Sequence, residues 1–161
     1  MSVFKTTFSR ALSVIKSDNA VIPSINLIHT GANTSVATNK LITITGDFIF
    51  DNVKTGDVVY NTSSSTAATV VSVNSETEIT LNANIFTTGG QSFKIYQQSA
   101  QTGLGNTGAF LYVGGAGNVA VTTIGGDDIT FSAVPVGTIL PVQVIALKST
   151  GTTATLVNAL W

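Results

Sequence analysis

The sequence predicts an all-β protein whose two ends form an antiparallel β-sandwich of jelly-roll type, with a small β-barrel module inserted between them. First, residues 108–161 alternate between short apolar runs and turns rich in Gly, Pro and Asp, spaced by about ten residues as in sandwich domains. Second, the chain is rich in Thr, Val, Ser and Asn, which favour strands and turns. Third, Gly- and Ser/Thr-rich joints at 32–40 and 99–108 bracket a compact set of strands.

Residues 1–31 are expected to form an N-terminal arm and the first strand of the sandwich. A helix is the alternative, because an apolar stripe at helical spacing is formed by Phe4, Phe8, Leu12 and Ile15. The β-branched residues Val14, Val21 and Ile22 fit strands better than helices, and Pro23 interrupts the segment. We therefore expect an extended conformation that packs against the C-terminal part of the chain.

Residues 32–100 are expected to form the inserted β-barrel module. Five short runs suit strands: LITIT, DVVYN, ATVVSV, TEITLN and SFKIYQQ. Gly56, Gly89 and Gly90 lie at the corners between runs, and Asn74 with Ser75 is the expected hairpin turn. So many short strands in so few residues are typical of a small barrel of SH3-like type.

Residues 101–161 are expected to form the main β-sandwich domain. Five apolar-alternating runs follow one another there, and the last run ends on Trp161. Alternation with period two places one set of side chains in the core and the other on the surface.

The composition excludes several classes of function. Only 9% of the residues are charged, against roughly 25% in an average soluble protein, so we expect faces covered by copies of the chain or by a lattice. The seven basic residues are scattered, which argues against nucleic-acid binding. There is no cysteine, and no apolar run is long enough to span a membrane. The N-terminus is a poor secretory signal, so synthesis in the host cytoplasm is expected.

A glycine motif in the second joint imitates a dinucleotide-binding fingerprint. Gly103, Gly105 and Gly108 spell G-x-G-x-x-G, and Asp127 follows nineteen residues later. The fingerprint requires a helix directly after the glycines, because the helix N-terminus holds the pyrophosphate. Here a glycine-broken strand follows, so the segment is interpreted as a linker and no cofactor is expected.

Other motifs imitate catalytic and metal sites. S-x-x-K at 13–16, S-D-N at 17–19 and K-T-G at 54–56 are signatures of serine β-lactamases, but the first two adjoin and cannot face each other across a cleft. His29 is the single histidine. Asp127 and Asp128 follow two glycines, which fits a hairpin turn, with calcium binding as the alternative. We therefore expect no enzyme, no catalytic residue and no metal.

Several segments resemble a family of virion structural proteins of tailed phages. The resemblance lies in LYVGGAGNVAVTT, then in DITFSAVPVGTILPVQVIALKSTGTTATLVNALW, which ends in an apolar-x-A-L-W terminus. ALSVIKSDNAVIP resembles the first strand of the same family. The central segment GDVVYNTSSSTAATVVSVNSETEITLNANIF resembles a small β module that recurs in phage structural proteins, and here it interrupts the family pattern.

The resemblance implies a capsid decoration or cement protein that binds the major capsid protein on the virion exterior as a homo-oligomer, a trimer by preference. Two alternatives stay open: a tail, neck or baseplate component such as a spike base or fibre adaptor, and a host-surface module that binds a glycan through aromatics of the central unit. Alternation predicts that most of those aromatics are buried. The candidate interface residues, each also compatible with the core, are Phe4, Phe8, Phe110, Tyr112 and Trp161.

Overall fold

The all-β class is confirmed. The structure, a computed structural model, describes residues 7–98 and 108–161. Within those ranges the regular elements are all strands, and every pairing between them is antiparallel. The strands are β1 (Ala11–Ser13), β2 (Leu27–Ala32), β3 (Lys40–Ile42), β4 (Val58–Asn61), β5 (Thr66–Ser75), β6 (Glu78–Leu81), β7 (Ser92–Tyr96), β8 (Phe110–Gly115), β9 (Gly117–Thr123), β10 (Asp128–Val134), β11 (Thr138–Ile139), β12 (Val144–Leu147) and β13 (Thr155–Leu160).

The two ends of the chain together form a sandwich of two sheets. One sheet has the strand order β1-β13-β8-β11, and the other has the order β10-β9-β12. The N-terminal strand β1 pairs with the C-terminal strand β13, with Ala11 opposite Leu160. Alternate residues of β8 and β9 point into a shared apolar core that includes Leu111, Val113 and Val121.

The module is one six-stranded sheet that curls into a half-barrel. Its strand order is β2-β7-β4-β5-β6-β3. Just beyond β2, the Thr34 N–H donates to the Ile42 carbonyl of β3 at 2.8 Å, and Ser35 forms a β-bridge with Ile42, so the two edges of the sheet approach each other. The curled sheet encloses a core containing Phe48, Phe86 and Phe93.

Two features of the module differ from the sequence prediction. β2 pairs with β7 and therefore belongs to the module sheet, although residues up to 31 were assigned to the N-terminal arm. The polar residues of β2 hid this strand, since His29 and Thr30 break the apolar alternation. The turn between β5 and β6 lies at Glu76 and Thr77, later than predicted at Asn74 and Ser75, because Ser75 still pairs with Glu78.

An extended segment, residues 14–26, joins the sandwich to the module. The Ser17 N–H donates to Leu147 of the sandwich, while the Ser17 hydroxyl donates to Ala67 of the module, both at 2.9 Å. Ile22 is buried in the sandwich core, whereas Ile15 packs against the module. The helix considered for the stripe from Phe4 to Ile15 is not formed in its described part, where Ala11–Ser13 is a strand and the backbone hydrogen-bonds outward to other segments.

Candidate interaction surfaces

The outer face of the four-stranded sheet is the first candidate surface. In β8, Leu111 and Val113 are buried, while Phe110 and Tyr112 are half-buried and lie on the opposite face. The register brings further side chains into the same rows of this face. We call it the outer apolar face, formed by Phe8, Ala11, Phe110, Tyr112, Ile139, Asn158 and Leu160.

Three of the five predicted interface residues meet on the outer apolar face. Phe8 reaches it from the N-terminal arm and packs on Phe110, with ring centroids 5.6 Å apart and planes tilted by 56°. Tyr112 lies in the next row, opposite Asn158 on one side and Ile139 on the other. An aromatic pair of this kind contributes about 1 kcal/mol beyond its buried area.

The other two predicted residues do not extend this face. Trp161 packs against the sandwich core, and its backbone exchanges hydrogen bonds with Arg10. The sequence left Trp161 compatible with either an interface or the core, and alternation after Leu160 turns its side chain inward. Phe4 lies outside the described residues.

Leu156 marks a distortion at the edge of this surface that the sequence did not reveal. Its side chain is 74% exposed and its φ is 51°, a left-handed conformation that is uncommon for a residue other than glycine. The opposite residue is Gly114, where an added Cβ would lie 2.8 Å from the Leu156 carbonyl oxygen. A cleft of about 330 Å³ adjoins Leu156, lined partly by Lys16 and Ser65.

The tip of the module is the second candidate surface. Ile44, Ile49 and Phe50, here called the module tip, are 79%, 56% and 85% exposed. The Glu76 carboxylate accepts hydrogen bonds from the Ile49 and Phe50 N–H groups at 2.8 and 3.2 Å, and Phe48 between β3 and β4 is fully buried. This loop is therefore fixed with its apolar side chains in solvent, an arrangement typical of contact sites.

Alternation in the module correctly predicted that most of its aromatics are buried, and Phe50 is the exception. The buried ones are Phe48, Tyr60, Phe86, Phe93 and Tyr96. Phe50 lies two residues after Phe48, where continued alternation would place it on the same buried side. A turn with φ of 49° at Asp47 and 60° at Asn52 ends that alternation, so Phe50 points to solvent.

The residues of the β-lactamase-like motifs have structural roles. Lys16 donates to the Thr152 carbonyl at 2.7 Å, and Thr55 donates to the Val71 carbonyl at 3.0 Å. Asp18 accepts hydrogen bonds from Ser149 and from both the N–H and hydroxyl of Thr150. These bonds lower the pKa of the Asp18 carboxyl, with the Ser149 hydroxyl as the main cause.

The single histidine forms a pair with a carboxylate. His29 Nδ1 lies 2.6 Å from Asp51 Oδ2, and its ring stacks on Phe93 and meets the edge of Phe48. This pair links β2 to the loop that carries the module tip. Across residues 7–98 and 108–161, no group of three His, Cys, Asp or Glu side chains is positioned to hold a metal ion.

The two aspartates considered for calcium are bound to protein partners. Asp128 accepts hydrogen bonds from Lys148 and Thr122, and these bonds, the Lys148 bond first, lower its pKa. Asp127 accepts a hydrogen bond from Thr123 in the turn before β10.

The described parts of the chain contain no helix long and apolar enough to cross a membrane.

Comparisons of the chain with protein-family models, with curated proteins and with solved structures give no match. The described geometry presents two candidate interaction surfaces, and the outer apolar face contains three of the five predicted interface residues.

Proposed function

We propose that this chain is a structural protein of a tailed-phage virion, a decoration or cement protein that binds the major capsid protein on the outside of the shell. The observation that carries the proposal is the outer apolar face, where Phe8, Phe110 and Tyr112 meet. Together with the resemblance of the two chain ends to phage virion proteins, this face favours a protein that acts by binding other proteins. We propose no catalytic activity.

The proposed mechanism is thermodynamic. A protein that binds only the mature lattice stabilises that lattice by mass action. Aromatic side chains near the centre of an interface contribute most of the binding energy, because they exclude water and bury a large area. The uncharged character of the outer apolar face keeps the desolvation cost low, since no charge has to leave water.

The number of copies in purified virions tests this proposal. Quantitative mass spectrometry against the major capsid protein is expected to give a ratio near one to one. A few copies per particle would contradict the decoration role and would support a tail, neck or baseplate component instead. Absence from particles would contradict the virion assignment as a whole.

A substitution tests the surface that carries the proposal. Tyr112→Ser is expected to reduce the binding of the purified protein to phage shells from which this protein is missing. The substitution removes an aromatic anchor from the outer apolar face. Val136→Ser is the matched control, since Val136 is a 62% exposed apolar residue outside the β-ladders. Equal binding of both variants and the unsubstituted protein would show that this face is not the contact.

A further inference from the structure

The open edge of the sandwich is strand β10 (Asp128–Val134). It is the outermost strand of its sheet and pairs only with β9 in the described chain. Six of its seven residues are exposed or half-exposed, so both its faces meet solvent. Exposed edge strands are templates for pairing with another strand.

The other strand edges of the described chain are short or covered. The edge strands β1 and β11 have three and two residues. β12 receives hydrogen bonds from the N-terminal segment, through the N–H groups of Ser17 and Ile22. In the module, the bond from Thr34 to Ile42 joins the two edges just beyond β2, and β2 itself has six residues against the seven of β10. β10 is therefore the longest open edge within residues 7–98 and 108–161.

The hydrogen-bond pattern shows which backbone groups of β10 point outward. The Thr123 N–H donates to the Asp127 carbonyl at 2.9 Å, where β9 and β10 meet at their turn. Bonded and non-bonded pairs alternate along an antiparallel ladder. Ile129 and Phe131 are thus bonded to β9, while Asp128 and Thr130 direct their N–H and C=O groups away from the sheet.

The inner face of β10 is incompletely covered. Ile129 lies opposite Val121, whose side chain is fully buried in the sandwich core, so Ile129 also faces the interior side of the sheet. Even so, Ile129 is 46% exposed. The other sheet of the sandwich ends in β11, which has only two residues. The sandwich is therefore unfinished at this edge.

The common protections against edge pairing are missing from the first part of β10. No Lys, no Pro and no register irregularity occurs from Asp128 to Phe131. The irregularity comes later, between Phe131 and Val134, and Pro135 follows the strand. Natural edge strands usually carry such features where they have to stay unpaired.

We infer that β10 pairs antiparallel with β10 of a second copy of this chain, about a two-fold axis at Thr130. This register joins the outward backbone groups of Thr130 in the two copies and places Asp128 opposite Ser132. Inner-facing residues then oppose inner-facing residues, with Ile129 of each copy against Phe131 of the other. Aromatic and β-branched neighbours across a strand pair stabilise each other, and the exposed Ile129 is covered.

The charges of β10 are compatible with a second copy as the occupant, because the proposed register brings no like charges together. The only charged residue of β10 is Asp128, and it already pairs with Lys148 of its own chain. A two-fold axis at Thr130 separates the two Asp128 residues by four positions, about 13 Å along the strands. Like charges therefore do not face each other, and the two three-stranded sheets become one continuous six-stranded sheet.

Sedimentation velocity on the purified protein tests this contact. The unsubstituted protein is expected to be a dimer, or an assembly with an even number of copies. Thr130→Lys is expected to raise the dissociation constant about threefold or more, because the axis places the two lysines against each other. Thr130→Asp is expected to do the same, while Thr130→Val, which adds no charge, keeps the dimer.

Mixing the Thr130→Lys and Thr130→Asp proteins tests the register itself. Opposite charges then meet at the axis, so the mixture is expected to form a heterodimer. Restored association also shows that both variants are folded. Three results would each overturn the inference. The unsubstituted protein could be a monomer or a purely three-fold assembly, the Thr130→Lys protein could keep the dissociation constant of the unsubstituted protein, or the mixture could fail to associate. The contact rests on the strand edge alone, so the copy number in virions does not bear on it.

Discussion

The module and the sandwich differ in how completely each covers its own strands. The module sheet curls until its edges approach, and its aromatic residues Phe48, Phe86 and Phe93 are at most 1% exposed. The sandwich has a half-buried aromatic pair on its outer apolar face and an open edge at β10. The comparison indicates that the module is stabilised from within, while the sandwich carries the surfaces that we propose for contacts with other chains.

The module tip is the exception within the closed unit. Ile44 and Phe50 extend into solvent from a loop that Glu76 fixes through two backbone hydrogen bonds. The apolar groups at the tip are few and local, whereas the open features of the sandwich follow a sheet face and a whole strand. A sheet face and a strand edge extend over many residues, so they suit contacts with further copies of this chain or with a lattice of another protein.

The sharpest test of the comparison is one aromatic substitution in each unit. Phe93→Ala is expected to lower the free energy of unfolding by about 3–5 kcal/mol, because it leaves a cavity among packed rings. Phe110→Ala on the outer apolar face is expected to cost about 1–2 kcal/mol, since it loses one tilted aromatic contact and the burial of a half-exposed ring. Urea denaturation measures both. Equal losses would show that the outer apolar face is as much a core as the module interior.

Acid is expected to weaken the attachment of the N-terminal segment to the sandwich. Hydrogen bonds from Ser149 and Thr150 hold the pKa of the Asp18 carboxyl below its ordinary value of 3.8. The stabilisation is therefore present above that value and is lost as the pH falls through the lower pKa of the folded state. The melting temperature should be flat near neutral pH and fall below about pH 4.

Asp18→Asn isolates this contribution. The variant should melt a few degrees lower at neutral pH, since the amide accepts these bonds more weakly than the carboxylate. The difference from the unsubstituted protein should shrink as the pH falls, because acid protonates Asp18 as well. A difference that stays constant with pH would contradict the role given to the Asp18 charge.

The smallest effect is expected at the junction between the units. The Tyr60 hydroxyl lies beside the Ile15 backbone but forms no hydrogen bond of normal geometry with a described residue, and burial raises its pKa far above 10.0. Tyr60→Phe removes a buried polar group and keeps the ring that packs on Tyr96. The free energy of unfolding should change by less than about 1 kcal/mol or increase slightly. A larger loss would show that this hydroxyl has a hydrogen-bond partner, such as the Ile15 backbone.

The sequence predicted the strands better than the surfaces. Alternation predicted short strands in the C-terminal part of the chain, and in β8 the structure buries Leu111 and Val113 and places Phe110 and Tyr112 on the other face. It missed β2, where polar residues interrupt the pattern, and it did not reveal that Phe50 is exposed, which follows from the turn between Asp47 and Asn52. Local periodicity carries no information about turns of this kind.

By itself, the sequence determined the all-β class, the low surface charge and the absence of the residue types that thiol chemistry needs. The tertiary structure alone decided which strand edge stays open and which apolar residues share a face. The physical reason is that strand pairing joins residues far apart in the chain, such as Ala11 and Leu160. Such pairing depends on register and sheet order, which the period-two pattern of a single strand does not specify.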